Sequence, residues 1–204
     1  MLDNYKIDEC GVIHQLNFNT ITYDADYIKN SYYKYPKSLS MGYLRLGYLI
    51  GSIGHIPTSI LDVGYGSGDF LKVCKEIIPE CYGYDITTLP PPEGTKQVTS
   101  LTDKHYDVVT FFDVLEHFKD IYEICNIKCN YIYISLPWCH YHSDEWFTNW
   151  KHRRPNEHLH HFNDKSLISF FKKIGFSCLN FTEIEDTIRK GENKNILTAV
   201  FKKQ

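Results

Sequence analysis

The chain has 204 residues, of which 43% are hydrophobic, and this length is enough for one domain with a single sizeable core. Its formal net charge of −3 at pH 7 provides no broad basic face, which argues against binding of long nucleic acids through phosphate neutralisation. The seven cysteines are scattered, and the first residues include acids without an apolar core, so we expect free thiols, no signal peptide and a cytoplasmic location.

The first predicted element is an amphipathic helix over residues 38–50, where apolar side chains recur at positions 39, 43, 46, 50 and 53. Arg45 interrupts this apolar pattern. The run over residues 44–56 is too short to span a bilayer and is broken by Arg45 and by glycines. We therefore expect no membrane partner.

A buried strand at residues 60–63 leads into a turn that contains Gly64, Gly66 and Gly68. Glycines let backbone amides approach a ligand that side chains would exclude. The dinucleotide fingerprint needs a glycine at its sixth position, where this chain has Asp69, and no lysine follows the last glycine as a P-loop requires. The pattern therefore disfavours binding of NAD or of a nucleoside triphosphate. The turn either binds another cofactor or is an ordinary glycine turn between a strand and a helix.

Asp85 ends the next predicted strand, residues 81–85, after a helix predicted over residues 67–78. Asp85 follows the glycine turn by about 20 residues. At this spacing one helix and one strand bring an acidic side chain back beside the turn, where it can bind both hydroxyls of a ribose. The alternative is a solvated aspartate at a strand end. The consecutive prolines at 90–92 cannot form a helix, so we predict a loop before a short third strand at residues 96–99.

A fourth buried strand is predicted over residues 106–112, and Asp113 is a plausible N-cap for a helix that contains Glu116 and His117. Acids are favoured in a first helical turn, so we interpret Glu116 as mostly structural. A fifth strand follows at residues 130–137. The last predicted elements are a helix over residues 166–174, capped by Asn163 or Asp164 and stopped by Gly175, and an antiparallel pair of strands at 176–181 and 195–201.

The run Asp-x-Gly-x-Gly-x-Gly over residues 62–68 resembles motif I of class I S-adenosylmethionine-dependent methyltransferases, and residues 113–117, Asp-Val-Leu-Glu-His, match the family's pattern after its fourth strand. The helix with Arg45 looks like the one ahead of the first strand in ubiquinone-biosynthesis-type O-methyltransferases, a small-molecule branch. The resemblance covers about residues 38–203. It implies a Rossmann-like three-layer α/β sandwich with a seven-stranded sheet of order 3-2-1-4-5-7-6, strand 7 antiparallel, and trimmed helices around strand 3. We expect a methyltransferase domain at residues 38–204 and a tyrosine-rich N-terminal lid segment at residues 1–37.

The same resemblance implies S-adenosylmethionine as cofactor and S-adenosylhomocysteine as product. It places the amides of the glycine turn against the methionine part, Asp85 on the ribose hydroxyls, and Asp62 and Phe112 near the amino group. Arg45 would bind the methionine carboxylate with its planar fork, or it is an ordinary surface arginine. The implied cofactor-binding residues are Arg45, Asp62, Gly64, Tyr65, Gly66, Asp85, Ile86, Leu101, Phe112 and Asp113.

Six of the ten histidines lie between positions 140 and 161, after the fifth strand, where the substrate crevice of a parallel α/β sheet is expected. Trp138, Trp146, Phe147 and Trp150 are expected to give this segment an aromatic lining. Three interpretations of the histidines remain open. One is a general base, for which His161, His158 and His117 are the candidates. The second is a zinc site of Cys139, His142, His158 and His160, whose spacing fits no common ligand set, so we assign no metal ligands. The third is structural hydrogen bonding.

These features predict a methyltransferase that acts on a small-molecule acceptor with an oxygen nucleophile. The alternatives are a non-catalytic S-adenosylmethionine-binding regulatory or scaffold subunit and a methyltransferase for nucleotides or RNA. Nucleic acid is disfavoured as a partner because the fourth strand ends without a Pro-Pro turn for a flipped base. The sequence does not predict the oligomeric state.

Overall fold

A computed structural model describes residues 3–22, 39–87, 89–189 and 194–204. The strands are β1 (Tyr5–Ile7), β2 (Ile13–Gln15), β3 (Ser59–Val63), β4 (Glu80–Tyr84), β5 (Lys96–Gln97), β6 (His105–Phe112), β7 (Lys128–Pro137), β8 (His160–His161), β9 (Phe176–Thr182) and β10 (Ile196–Lys203). The α-helices are α1 (Leu39–Ile53), α2 (Asp69–Cys74), α3 (Asp144–Asn149), α4 (Asp164–Lys173) and α5 (Asp186–Arg189), and 3-10 helices span Leu115–His117 and Ile121–Asn126.

The central sheet has seven strands in the order β5-β4-β3-β6-β7-β10-β9. Strands β5, β4, β3, β6 and β7 are parallel to one another, whereas β10 runs antiparallel to both β7 and β9. In order of appearance within this sheet the arrangement is 3-2-1-4-5-7-6 with the seventh strand reversed. The predicted fold class and topology are confirmed.

One apolar core covers each face of this sheet, so its central strands are buried on both faces. One core joins alternate side chains of the strands, such as Leu61 and Val109, to Phe170 of helix α4. The other joins Ile60 and its neighbours to helices α1 and α2. The sheet therefore forms the middle layer of a three-layer sandwich, and the carboxyl ends of β3, β4 and β6 meet at one edge.

A second, three-stranded sheet of order β1-β2-β8 was not expected from the sequence. Strand β2 pairs with β8 through Ile13 and His14, which lie opposite His161 and His160. The N-terminal hairpin thus packs on the histidine-rich segment. The lid predicted for residues 1–37 stays a prediction, since its tyrosines at positions 23, 27, 32, 33 and 35 lie outside the described residues.

Several local predictions were wrong in detail. Helix α2 starts after Gly68, later than predicted, since Gly68 is left-handed with φ of 70°. Asp113 caps no helix: its own φ is 56°, and the short 3-10 helix that follows is flanked by Val114. Helix α5 in the connection between β9 and β10 was not predicted at all. No helix among the described residues is long and apolar enough to cross a membrane.

Candidate active site

The glycine turn after β3 has a backbone that other residues rarely adopt. Gly64, Gly66 and Gly68 have φ of 71°, 51° and 70°. The Gly64 N–H donates to the Tyr84 carbonyl at 2.7 Å, and a Cβ added to Gly64 would lie 2.4 Å from Cγ2 of Val114. The turn therefore passes tightly between the ends of β4 and β6.

Asp85 lies at the end of β4 and faces this turn. Its Oδ2 accepts a hydrogen bond from the Gly66 N–H at 2.9 Å, and its Oδ1 accepts one from the Thr87 N–H at 2.7 Å. Two backbone donors thus fix the carboxylate beside the glycines. Each carboxylate oxygen has a further lone pair with which it can accept a hydroxyl.

Asp62, Arg45 and Phe112 come together below the turn. Asp62 is 3% exposed, and its Oδ1 accepts the Thr110 hydroxyl at 2.6 Å. Burial raises the pKa of Asp62 to about 7, although Thr110 and the charge of Arg45 act in the opposite direction. The Arg45 guanidinium lies 3.9 Å from the centre of the Phe112 ring. Three residues predicted to bind the cofactor are therefore neighbours.

An ion-pair network covers the Arg45 side of this site. Arg45 donates from Nε and Nη2 to the two carboxylate oxygens of Glu185 at 2.7 and 3.0 Å. Arg189 bridges Glu185, at 2.7 Å, to Asp113, at 2.6 Å. Burial disfavours ionisation of Glu185, but Arg45 and Arg189 outweigh it and lower its pKa. No sequence pattern indicates Glu185 or Arg189 as site residues, because only tertiary structure brings them next to Arg45 and Asp113.

The remaining residues predicted to contact the cofactor lie around the same edge of the sheet or on the loops after β4 and β5. The Tyr65 hydroxyl donates to the Leu89 carbonyl. Ile86 is 65% exposed next to Asp85, as an open binding surface would require. Leu101 is half-buried against the apolar core.

The structure brings two of the three histidines predicted as bases together and separates the third. The rings of His117 and His158 lie 4.7 Å apart at nearly a right angle. His161 instead packs against Tyr5, Phe147 and Trp150, with ring centres 5.0 to 6.0 Å away. Its Nε2 is buried without a hydrogen-bond partner among the described residues.

Burial keeps the paired histidines neutral. It lowers the pKa of His117 to about 4 and that of His158 to about 3. The same desolvation raises the pKa of Glu116 well above its ordinary value, and the charge of Asp113 adds to the effect. Such low pKa values make the two imidazoles weak general bases at neutral pH.

A cleft of about 430 Å³ opens beside the end of β7. Its lining includes Trp138, His140, Trp146, Trp150 and Lys194. The rings of Trp146 and Trp150 are stacked with centres 5.4 Å apart. Phe147 was expected in this lining but is fully buried below it, in the small core with Tyr5.

Comparisons with known proteins relate this chain to methyltransferases. A family model described as a methyltransferase domain matches residues 43–180. No curated protein sequence matches the chain. The magnesium protoporphyrin IX methyltransferase of Synechocystis PCC 6803, solved with bound S-adenosylhomocysteine, superposes with a TM-score of 0.65 at 12% identity over 89% of this chain and 96% of its own.

Two further solved structures agree with this match. An S-adenosylmethionine-dependent methyltransferase from Archaeoglobus fulgidus has a TM-score of 0.60 at 21% identity, over 88% of this chain and 100% of its own. The plantazolicin methyltransferase, in complex with S-adenosylhomocysteine, has a TM-score of 0.56 at 13% identity, with coverages of 88% and 89%. At these identities the structural matches support the fold, and the family model supports the activity.

Proposed function

Since the chain belongs to the class I S-adenosylmethionine-dependent methyltransferases, we propose that it methylates a small-molecule acceptor through an oxygen nucleophile. S-adenosylmethionine, the cofactor of this family, supplies the activated methyl group when it is bound. The protein then has to hold the cofactor, align the acceptor oxygen, exclude water and handle the acceptor's proton.

The nucleoside end of the cofactor fits the turn at Gly66 and Asp85. The Asp85 carboxylate, held by two backbone N–H groups, would accept the ribose hydroxyls. A side chain at Gly64 would collide with Val114, so only glycine keeps the backbone in this position. Ile86 and Leu101 would contact the adenine.

The methionine end would lie near Asp62, Phe112 and Arg45. An ionised Asp62 would pair with the ammonium group, and Arg45 would take the carboxylate in a bidentate contact. Glu185 holds Arg45 in this structure. Binding of the cofactor carboxylate would therefore share or replace that contact.

The observation that carries the choice of acceptor is the tryptophan-lined cleft beside β7. Its volume of about 430 Å³ lies in the range typical of small-molecule sites. Stacked Trp146 and Trp150 suit a flat acceptor, and Lys151 and Lys194 at the rim suit one that carries negative charge. Two of the structural matches are named as methyltransferases for magnesium protoporphyrin IX and for plantazolicin, which is compatible with a small-molecule acceptor.

His117, His158 and His161 remain our candidates for groups that act on the acceptor's proton. His117 ends the 3-10 helix that follows β6, and His158 lies just before β8. The His158 Nδ1 donates to the carbonyl of His152, whose Nε2 is bonded to Asn195 in the cleft lining. This chain of contacts connects the buried histidines to the cleft.

Isothermal titration with S-adenosylhomocysteine tests the cofactor assignment. We expect Asp85→Ala to weaken binding by at least about tenfold, and Asp85→Asn, which keeps one acceptor oxygen, to weaken it less. Glu93→Ala removes an exposed carboxylate from the loop before β5 and should leave the affinity unchanged. Equal affinity of wild type and Asp85→Ala would refute the ribose assignment.

The acceptor is tested by transfer of a labelled methyl group from S-adenosylmethionine to hydroxylated aromatic acids, to their amino analogues and to a short RNA. We expect methylation of a hydroxylated small molecule, with a KM raised several-fold by Trp146→Ala. Methylation of the RNA, or of the amino analogues alone, would overturn the proposed acceptor class. Cofactor binding without transfer to any acceptor would favour the non-catalytic subunit.

A further inference from the structure

Three side chains of metal-binding type converge between the end of β6 and the histidine-rich segment. One ligand atom from each of Glu116, His117 and His158 lies within 4.8 Å of the other two. The backbone fixes this arrangement, because the Leu159 N–H donates to the Glu116 carbonyl at 2.7 Å. In the part of the chain that the structure describes, these three are the His, Cys, Asp or Glu residues that come close enough together to hold a metal ion.

The Glu116 carboxyl group is the strongest sign that something is bound here. The residue is 2% exposed, and neither carboxylate oxygen has a hydrogen-bond partner among the described residues. Its Oε1 lies 4.0 Å from the His117 Nε2, which is beyond hydrogen-bonding distance. A buried carboxyl group without partners is costly, and a cation bonded to it would remove that cost.

The two imidazoles are oriented as metal ligands commonly are. The His158 Nδ1 donates to the His152 carbonyl at 2.8 Å, which places the lone pair of this neutral ring on Nε2. A metal-bound histidine almost always donates its other ring N–H to a carbonyl or carboxylate in this way. His117 directs Nε2 toward Glu116 and also interacts with the Glu157 backbone.

The ligand set considered from the sequence does not assemble. Cys139 is buried in the small core with Tyr5 and Phe147, and the His160 ring bonds to His14 and to the Phe118 carbonyl. Only His158 belongs both to that set and to the observed group. Glu116, which the sequence indicated as structural, takes the place of the others.

We propose that Glu116, His117 and His158 bind one divalent first-row transition-metal ion. Two imidazole nitrogens and one carboxylate oxygen suit such an ion better than they suit magnesium or calcium, which prefer oxygen ligands throughout. Three protein ligands leave coordination positions open for water or another oxygen. His117 is the most exposed of the three ligands, with a side chain that is 17% exposed.

The existence of this site is independent of the acceptor. Only the role of the ion, which would bind and polarise the acceptor oxygen, rests on the proposed function. A bound ion would occupy the ring lone pairs of His117 and His158, so polarisation of the acceptor by the ion would replace the proton-accepting role considered for these two histidines.

The test is a titration with Co²⁺ alone, read from its visible absorption, on tag-free protein that has been stripped with a chelator. We expect one equivalent to bind with the spectrum of mixed nitrogen and oxygen ligation. Glu116→Gln and His158→Ala should each weaken binding by at least about tenfold. His55→Ala, which removes an exposed histidine outside the group, should bind Co²⁺ like the wild type.

Circular dichroism and thermal unfolding of each variant, with and without Co²⁺, control for misfolding. We expect Co²⁺ to raise the Tm of the wild type and of His55→Ala but not of Glu116→Gln. Absence of Co²⁺ binding to the wild type, or equal binding by all folded variants, would overturn the site. Titration of the same metal-free protein with S-adenosylhomocysteine separates the two proposals, because cofactor binding uses Asp85 and the glycine turn, not these three residues.

Discussion

Arg45 and Glu185 form a bidentate ion pair that joins helix α1 to the segment before helix α5. Glu185 is fully buried, and the Arg45 side chain is 13% exposed. Arg189 donates to the same carboxylate and to Asp113. These ion pairs therefore hold the connection between β9 and β10 against the site that contains Asp62 and Phe112.

We predict that breaking this pair from one side destabilises the protein. Glu185→Gln and Arg45→Met should each lower the free energy of unfolding by about 3–5 kcal/mol, because each leaves a buried charge without its main partner. The double variant Arg45→Met/Glu185→Gln should cost much less than the sum of the two single changes. Urea denaturation measures all three, and strict additivity would contradict the prediction.

The exposed pair of Lys96 and Glu80 provides the control for that cycle. Its side chains are 64% and 46% exposed, and its nitrogen and oxygen lie 3.4 Å apart. Removing it with Lys96→Met should leave the urea midpoint essentially unchanged, because solvent screens an exposed pair.

Alanine at Gly64 should abolish cofactor binding and destabilise the fold. The position has φ of +71°, and a Cβ would lie 2.4 Å from Val114. Gly47 is the matched control, since a Cβ there meets nothing within 4 Å and the residue lies inside helix α1. Gly47→Ala should stabilise the protein by about 0.5–1 kcal/mol. Calorimetry with S-adenosylhomocysteine measures the affinity of the two variants, and urea denaturation measures their stability. Equal affinity and equal stability of Gly64→Ala and Gly47→Ala would refute this prediction.

The fold could be predicted because its signals are local. Apolar runs at residues 60–63 and 106–112 are typical of strands buried on both faces, and glycines and prolines mark their ends. Asn163 and Gly175 bound helix α4 as predicted, with a capping box at Asn163 and φ of 85° at Gly175. The three-stranded sheet had no such signal, because strands of two or three residues contain too few positions to show alternation.

The candidate site was predictable only where one motif contains it. Gly64, Gly66 and Asp85 follow from spacing along a single β-α-β unit. Glu185 and Arg189 could not be found, since Arg45 and Asp113, which tie them to the site, are far away in sequence, and a pair of opposite charges four residues apart is ordinary on a helix. Glu116 was interpreted as a surface acid at a helix start, but the short 3-10 helix and strand β8 bury it.

The N-terminal hairpin should contribute to stability through the ring of Tyr5. This ring is 7% exposed and packs edge-on against Phe147 at 5.1 Å, whereas its buried hydroxyl has no hydrogen-bond partner among the described residues. Tyr5→Ala should cost about 3–5 kcal/mol in the free energy of unfolding. Tyr5→Phe keeps the ring and removes only the unsatisfied hydroxyl, so it should be neutral or slightly stabilising. A large loss in Tyr5→Phe would show that the hydroxyl has a partner.

The affinity for S-adenosylhomocysteine should rise with pH as Asp62 ionises. Burial raises the pKa of this carboxyl to about 7, and the ammonium group of the ligand would pair with the ionised form only. Between about pH 6 and pH 7.5 the ionised fraction grows from roughly a tenth to about three quarters, so Kd should fall roughly eightfold.

Asp62→Asn tests this assignment. The amide side chain cannot ionise, so the variant should bind S-adenosylhomocysteine weakly, with an affinity that stays constant over the same pH range.

The stability of the ligand-free protein should fall over the pH range in which the affinity rises. Since the folded pKa is raised above the unfolded one, the folded state binds more protons, and the contribution of Asp62 to stability falls as pH rises toward 7. Calorimetry and urea denaturation at matched pH values measure the two effects. An affinity that stays constant with pH in the wild type would place the ammonium group away from Asp62.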